Sequence, residues 1–153
     1  MTTLIISLAL LTAADTEGKV IAITDGDTLT VLVGTEQVKV RLDGIDAPER
    51  RQAFGTQARE KLAELCFGKS VTVEGDKKDR YGRTIGRVIV GGQDASLAML
   101  EAGLAWHYKA YSKDATLSRA EADARKARKG LWADHEPMAP WEFRKRPAAK
   151  KAA

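Results

Sequence analysis

The 153-residue chain has one cysteine, Cys66, so no disulfide can form within it. It has two histidines, His107 and His135, and these with a single thiol do not supply a zinc site. Long apolar runs are also missing. The longest, Leu4 to Leu11, is too short for an ordinary transmembrane helix. Charge of neither sign dominates, with 25 Lys and Arg against 21 Asp and Glu. The net charge of +4 favours an anionic partner, nucleic acid or an acidic surface, but does not identify one.

What is present describes a globular chain. Hydrophobic residues make up 44% and charged residues 30%, which excludes a disordered composition. The length suits one compact domain with one core. Cys66 lies in an apolar helical stretch with Leu62 and Leu65 and reads as a buried core thiol. Leu4 to Leu11, followed by Thr12-Ala13-Ala14, has the length and ending of a signal-peptide core, although no basic stretch precedes it. Residues 1–14 are therefore read as a signal peptide. This predicts a secreted or periplasmic protein, with an uncleaved membrane anchor as the alternative.

Periodicity organises the rest. Residues 19–42 alternate in a strand-like manner, through Val20, Ile21 and Ile23, then Leu29, Val31 and Val33, then Val38, Val40 and Leu42. Turns at Asp25-Gly26-Asp27 and Gly34-Thr35-Glu36 divide them into a three-strand meander. Residues 43–56 read as an ordered loop, and residues 57–67 as a helix stopped at Gly68. Val71 and Val73 predict a fourth strand and residues 87–90 a fifth, separated by the polar segment 76–83. Asp94 is an N-cap for a second helix through Leu97, Met99 and Leu100. A third helix is predicted over 115–129, with Leu117, Ala120, Ala124 and Ala127 inward and a Glu121–Arg125 pair at i,i+4. Five short strands with inserted helices suggest a small α+β, mainly β domain. A five-stranded Greek-key barrel of OB type fits the count.

The chemistry-bearing residues gather in loops. Asp25 and Asp27 flank a glycine; Asp43, Asp46 and Glu49 follow the third strand. Convergent oxygen donors without histidine or thiol favour a hard cation, Ca²⁺ or Mg²⁺. By itself Asp-Gly-Asp is ordinary turn chemistry. Arg41 ends a strand just before the acidic loop, and Arg83 follows Tyr81-Gly82. A guanidinium presents a fork suited to phosphate oxygens.

Three motifs occur in order: Ile23-Thr24-Asp25-Gly26-Asp27-Thr28, Val40-Arg41-Leu42-Asp43-Gly44-Ile45-Asp46-Ala47-Pro48-Glu49, and Asp79-Arg80-Tyr81-Gly82-Arg83. Together they resemble the signature of the micrococcal (staphylococcal-type) nuclease family. The resemblance continues through Glu101 to Trp106 and to Gly130-Leu131-Trp132. It implies an OB-type barrel with three helices over residues 18–133 as a single domain; by composition, residues 134–153 read as a basic C-terminal tail. The resemblance further implies a calcium-dependent endonuclease that cuts DNA and RNA, preferably single-stranded, to 3′-phosphate and 5′-hydroxyl products.

By the same resemblance, Asp27, Asp46 and the Ala47 carbonyl hold Ca²⁺, and Arg41, Glu49 and Arg83 are catalytic. Tyr81 and Tyr111 contact the nucleotide, and Asp25 supports the site. Lys109 stands where relatives place a second tyrosine. Lys69, Lys77, Lys78 and Lys109 are candidates for tracking the nucleic-acid backbone. A monomer without a stable protein partner is expected. The alternative is a catalytically inactive OB-type nucleic-acid-binding module, against which the intact acids and arginines argue.

Overall fold

The computed structural model describes residues 15–148, so the residues read as a signal peptide lie outside it. Among the described residues, eight strands and four α-helices follow in order. Strands β1 (Asp15–Asp25), β2 (Thr28–Val33) and β3 (Glu36–Leu42) form the expected meander, with β1 beginning earlier than its apolar alternation. Next come β4 (Ile45–Asp46) and helix α1 (Gly55–Cys66), then β5 (Ser70–Lys78) and β6 (Thr84–Val90). They are followed by β7 (Gln93–Asp94), α2 (Ala95–Glu101), β8 (Trp106–His107) and α3 (Ala115–Lys126). A 3₁₀ turn (Gly130–Ala133) and α4 (Pro140–Lys145) complete the order.

The main sheet runs β3-β2-β1-β5-β6-β7. β3 also pairs in parallel with β6, through Val40↔Thr84, Arg41↔Ile85 and Leu42↔Gly86. That pairing closes β1, β2, β3, β5 and β6 into a five-stranded barrel of OB type. β1 pairs with β5 through residues 15–19 and with β2 through residues 19–25, and register shifts at Val20/Ala22 and Ile23/Asp25 mark irregularities in the second pairing.

Alternation decides what the barrel holds. Val20, Leu29, Val31, Val40, Leu42, Val71, Val73 and Val88 are buried inside it. Ala58, Leu62 and Cys66 of α1, with Met99 and Leu100 of α2, join the same core. Each fully buried Leu or Val contributes about 1.5–3 kcal/mol. Cys66 is buried within this core, as its surroundings in sequence predict. α2 is capped as predicted, with the Asp94 carboxylate accepting from the Ser96 N–H at 2.8 Å.

Several boundaries move. The loop 43–56 contains β4, paired with β8 through Ile45↔His107 and Asp46↔Trp106. β5 extends into the polar segment as far as Lys78. The apolar stripe of α3 ends at Ala124, because Ala127 lies past the last helical turn and is exposed. The predicted Glu121–Arg125 pair forms, with Arg125 Nη2 3.0 Å from Glu121 Oε1, but Glu121 is 3% exposed and also accepts the His107 backbone N–H at 2.6 Å. The boundary drawn at 133 also cuts off structured chain. α4 starts with a proline at its N-terminus, where a missing N–H costs nothing. It buries Phe143 and stacks Trp141 on Tyr108, so the basic segment is no free tail as far as Lys145.

Candidate active site

Backbone pairing brings the first two motifs together before any side chain is considered. In the β2–β3 hairpin Thr28 pairs with Arg41, and the Leu42 N–H donates to the Asp27 carbonyl at 2.8 Å. The turn holding Asp27 therefore lies against the end of β3. It must also approach α1 closely. A Cβ on Gly26 would stand 2.6 Å from the Ala58 Cβ and 2.8 Å from the Ala47 Cβ, so only glycine fits. On the far side, the Ala47 N–H donates to Asp27 Oδ2 at 2.8 Å, and Thr28 Oγ1 donates to Asp27 Oδ1 at 2.9 Å.

Arg41 is the centre of this arrangement. Its Nη2 lies 3.4 Å from Asp27 Oδ2 and 3.3 Å from Asp46 Oδ1. Its Nη1 donates to the carbonyls of Leu42 (2.9 Å) and Ile45 (2.8 Å). Asp27 is 5% and Asp46 1% exposed, so two carboxylates from different loops face one cation in a poorly hydrated place. Burial and the adjacent Asp27 carboxylate push Asp25 up to about 7, while the Asp27 N–H and Arg41 oppose the shift. Burial likewise raises Asp46 above the ordinary carboxylate range, opposed by hydrogen bonds from Arg144.

Glu49 is placed by the loop before α1. Its N–H donates to Gln52 Oε1 at 3.0 Å, and Gln52 Nε2 donates to the Met138 carbonyl at 2.7 Å. A side chain on Gly55 would run into the Glu49 carbonyl, so this tight loop also requires glycine. The Glu49 side chain is 36% exposed and open to water.

Arg83 precedes β6, whose first residue, Thr84, pairs with Val40 beside Arg41. It is held by Asp79: Oδ2 accepts from Arg83 Nε at 2.7 Å, and Oδ1 from the N–H groups of Tyr81 and Arg83 at 2.9 and 3.0 Å. Burial works against the charged form of Asp79, yet these donors hold it below the ordinary carboxylate range. The Arg83 guanidinium also lies 5.4 Å from the Tyr81 ring centroid.

Tyr81 and Tyr111 are exposed, at 68% and 78%. Tyr111 packs edge-on against Tyr108 at 4.8 Å, and Tyr108 in turn stacks on Trp141. Lys109 turns towards Glu121, 3.6 Å away. Lys69 donates to the Glu64 carbonyl and Lys78 to Thr84 Oγ1.

The structure thus gathers Asp27, Arg41, Asp46 and Ala47 into one contact group, with Glu49 joined to it through one further residue. Arg83 and Tyr81 form a second group in the turn before β6. The joining residue, Arg144, was missed in the sequence because its basic surroundings read as tail. The available signal was Pro140 followed by Trp141, Phe143 and Arg144 at helical spacing.

Among the described residues, no three His, Cys, Asp or Glu side chains form a metal cluster. A site made from two carboxylates and a backbone carbonyl does not need three. Asp27 and Asp46 fit that role: both are hard oxygen donors, both are buried, and both already lie against one cationic nitrogen.

The family model described as staphylococcal nuclease homologue matches residues 39–134. Among curated proteins, the chain is 44% identical over 150 residues to a micrococcal nuclease of Shigella flexneri, covering 91% of this chain and 85% of that one. It is 43% identical over 143 residues to protein ParB of Escherichia coli, covering 86% and 81%. It is 40% identical over 134 residues to an uncharacterized endonuclease of Escherichia coli O157:H7, covering 87% and 88%. With this similarity running through the barrel and the acidic loop, the chain belongs to the family of staphylococcal-type nucleases.

Proposed function

We propose that this chain is a calcium-dependent endonuclease that hydrolyses phosphodiester bonds of DNA and RNA to 3′-phosphate and 5′-hydroxyl ends. The observation that carries the reading is Arg41 standing between Asp27 and Asp46, with Glu49 linked to the same group. Phosphodiester hydrolysis needs positive charge beside the equatorial oxygens, a base for water and relief at the leaving oxygen. Asp27, Asp46 and the Ala47 carbonyl would hold Ca²⁺, which supplies Lewis-acid neutralisation of a phosphate oxygen when bound.

The chain's own residues supply the rest. Glu49, water-accessible and tied through its N–H to Gln52, takes the proton from the attacking water. The water oxygen bonds to phosphorus as the bond to the 5′-oxygen breaks, and that oxygen leaves as the 5′-hydroxyl after taking a proton from solvent water. Arg41 and Arg83 donate charge-assisted hydrogen bonds that strengthen as negative charge builds on the phosphoryl oxygens. Asp79 positions Arg83 for this. Tyr81 and Tyr111 offer exposed rings to the nucleotide. Recognition by one phosphate and stacking reads little sequence and favours single strands, whose bases are free. The protein acts as a monomer, secreted or periplasmic.

Glu49→Gln and Glu49→Ala test the base. Each should lower turnover on single-stranded DNA by about 100- to 10,000-fold, with the melting midpoint nearly unchanged. Turnover within a few-fold of the parent in either variant removes Glu49 from this role.

A further inference from the structure

Arg144 reaches from α4 into the acidic group and occupies it closely. Its Nη2 donates to Asp46 Oδ2 at 2.7 Å, and its Nη1 donates to Asp46 Oδ1 at 3.1 Å and to Glu49 Oε1 at 2.8 Å. Arg41 shares Asp46 Oδ1, so both oxygens of Asp46 are engaged by guanidinium groups. The contact joins residues 98 positions apart in sequence. It is also built rather than incidental. Phe143 is buried, and Trp141 stacks on Tyr108 with ring centroids 5.4 Å apart and planes 3° apart. Tyr108 is fixed in turn by its N–H to the Gly44 carbonyl, on the loop that carries Asp46.

We propose that Arg144 is an exchangeable counterion of this site: it holds Asp46 and Glu49 until a divalent cation takes its place, so that α4 couples cation binding to opening of the catalytic carboxylates. The inference rests on the reading of Asp46 as a cation ligand. A divalent ion on an Asp46 oxygen would lie about 2.3–2.6 Å from it, beside a guanidinium nitrogen 2.7 Å from Oδ2. Two like charges so close exclude one another, whereas each alone satisfies the buried carboxylate. The same guanidinium holds Glu49 Oε1, and a charge-assisted bond from a cation favours the ionised carboxylate and so weakens Glu49 as a base. Exchange therefore releases the base at the moment the cation arrives. By linkage, the factor by which the cation weakens the Arg144 contact equals the factor by which Arg144 weakens cation binding.

Calorimetric titration of Ca²⁺ into the full chain, its Arg144→Gln and Arg144→Lys variants, and Asp46→Asn tests the exchange without reference to turnover. Arg144→Gln should bind Ca²⁺ about 5- to 150-fold more tightly than the parent. Arg144→Lys, which keeps charge but loses the fork, should fall between them. Asp46→Asn should lose binding. In the parent chain, hydrogen exchange at the amides of residues 142–146 should accelerate when Ca²⁺ is added. If Arg144→Gln binds no more tightly and α4 keeps its protection while Asp46→Asn loses binding, the exchange is refuted and the cation site stands. If Asp46→Asn binds Ca²⁺ as well as the parent does, the reading of Asp46 fails, and the exchange fails with it.

Discussion

Arg41 and Arg83 are assigned the same chemistry, yet the fold treats them differently, and replacing each by alanine should separate stability from catalysis. Arg41 is 14% exposed and makes four contacts: two backbone carbonyls and two carboxylates that are themselves almost wholly buried. Arg41→Ala leaves Asp27 and Asp46 facing each other without it and leaves two carbonyls without that donor. Removing one partner of such a buried group costs about 3–5 kcal/mol. At this chain length each kcal/mol moves the melting midpoint by about 2–4 °C, so a fall on the order of 10 °C is expected. Arg83 has one ion pair, to Asp79, with its side chain 26% exposed. Such a pair contributes about 1 kcal/mol or less. Arg83→Ala should therefore melt within a few degrees of the parent while losing about 100- to 1000-fold in turnover. Thermal and urea melts in chelator, paired with turnover on single-stranded DNA, check both halves. If Arg41→Ala melts within 1 kcal/mol of the parent, or Arg83→Ala is destabilised as much as Arg41→Ala, the division of roles is wrong.

Three further outcomes are expected. Burial pushes the Cys66 thiol up to about 11, with nearby Lys69 opposing it slightly. The native chain should therefore resist thiol reagents at pH 8 and react fully in denaturant. Because the folded chain keeps this proton above the unfolded value of about 9, stability should fall between pH 9 and about 11, and Cys66→Ala should lack that component. Glu121→Ala leaves the His107 N–H without its acceptor, while the exposed Arg125 and Lys109 return to water, and should cost about 1–3 kcal/mol in urea melts. Gly55→Ala sets a methyl group against the Glu49 carbonyl. It should lower turnover through a displaced Glu49 loop with a loss of about 1–3 kcal/mol, and normal turnover would show that the loop tolerates the shift.

The barrel was legible because the apolar residues of its strands largely alternate. Leu29 and Val31, and Val40 and Leu42, point inward with period two, the register shifts of β1 break the pattern between Val20 and Ile23, and short turn sequences mark where the chain reverses. The acids and arginines were legible as motifs, and the Thr28↔Arg41 register explains why two of the motifs meet. Other features depend on tertiary pairing. β4 and β8 are two residues each, too short to display a period, and exist because Ile45 and His107 find each other across sixty residues of chain. Glu121 has the i,i+4 spacing of a surface pair, and only the packing of the His107 segment makes it a buried acceptor. Arg144 sits in a run of basic residues, where composition hides a single side chain that is aimed inward. Its role depends on Phe143 and Trp141 anchoring a helix of six residues against the Asp46 loop.

Asp27, Arg41, Asp46, Glu49 and Arg83 are assigned to one hydrolytic site. Incubating the purified chain with single-stranded DNA, in Ca²⁺ and separately in chelator, while measuring both binding and the ends of any products, tests this most directly. Degradation in Ca²⁺ but not in chelator, leaving 3′-phosphate and 5′-hydroxyl ends, is the expected result. Binding without cleavage in Ca²⁺, or equal cleavage in chelator, would contradict it.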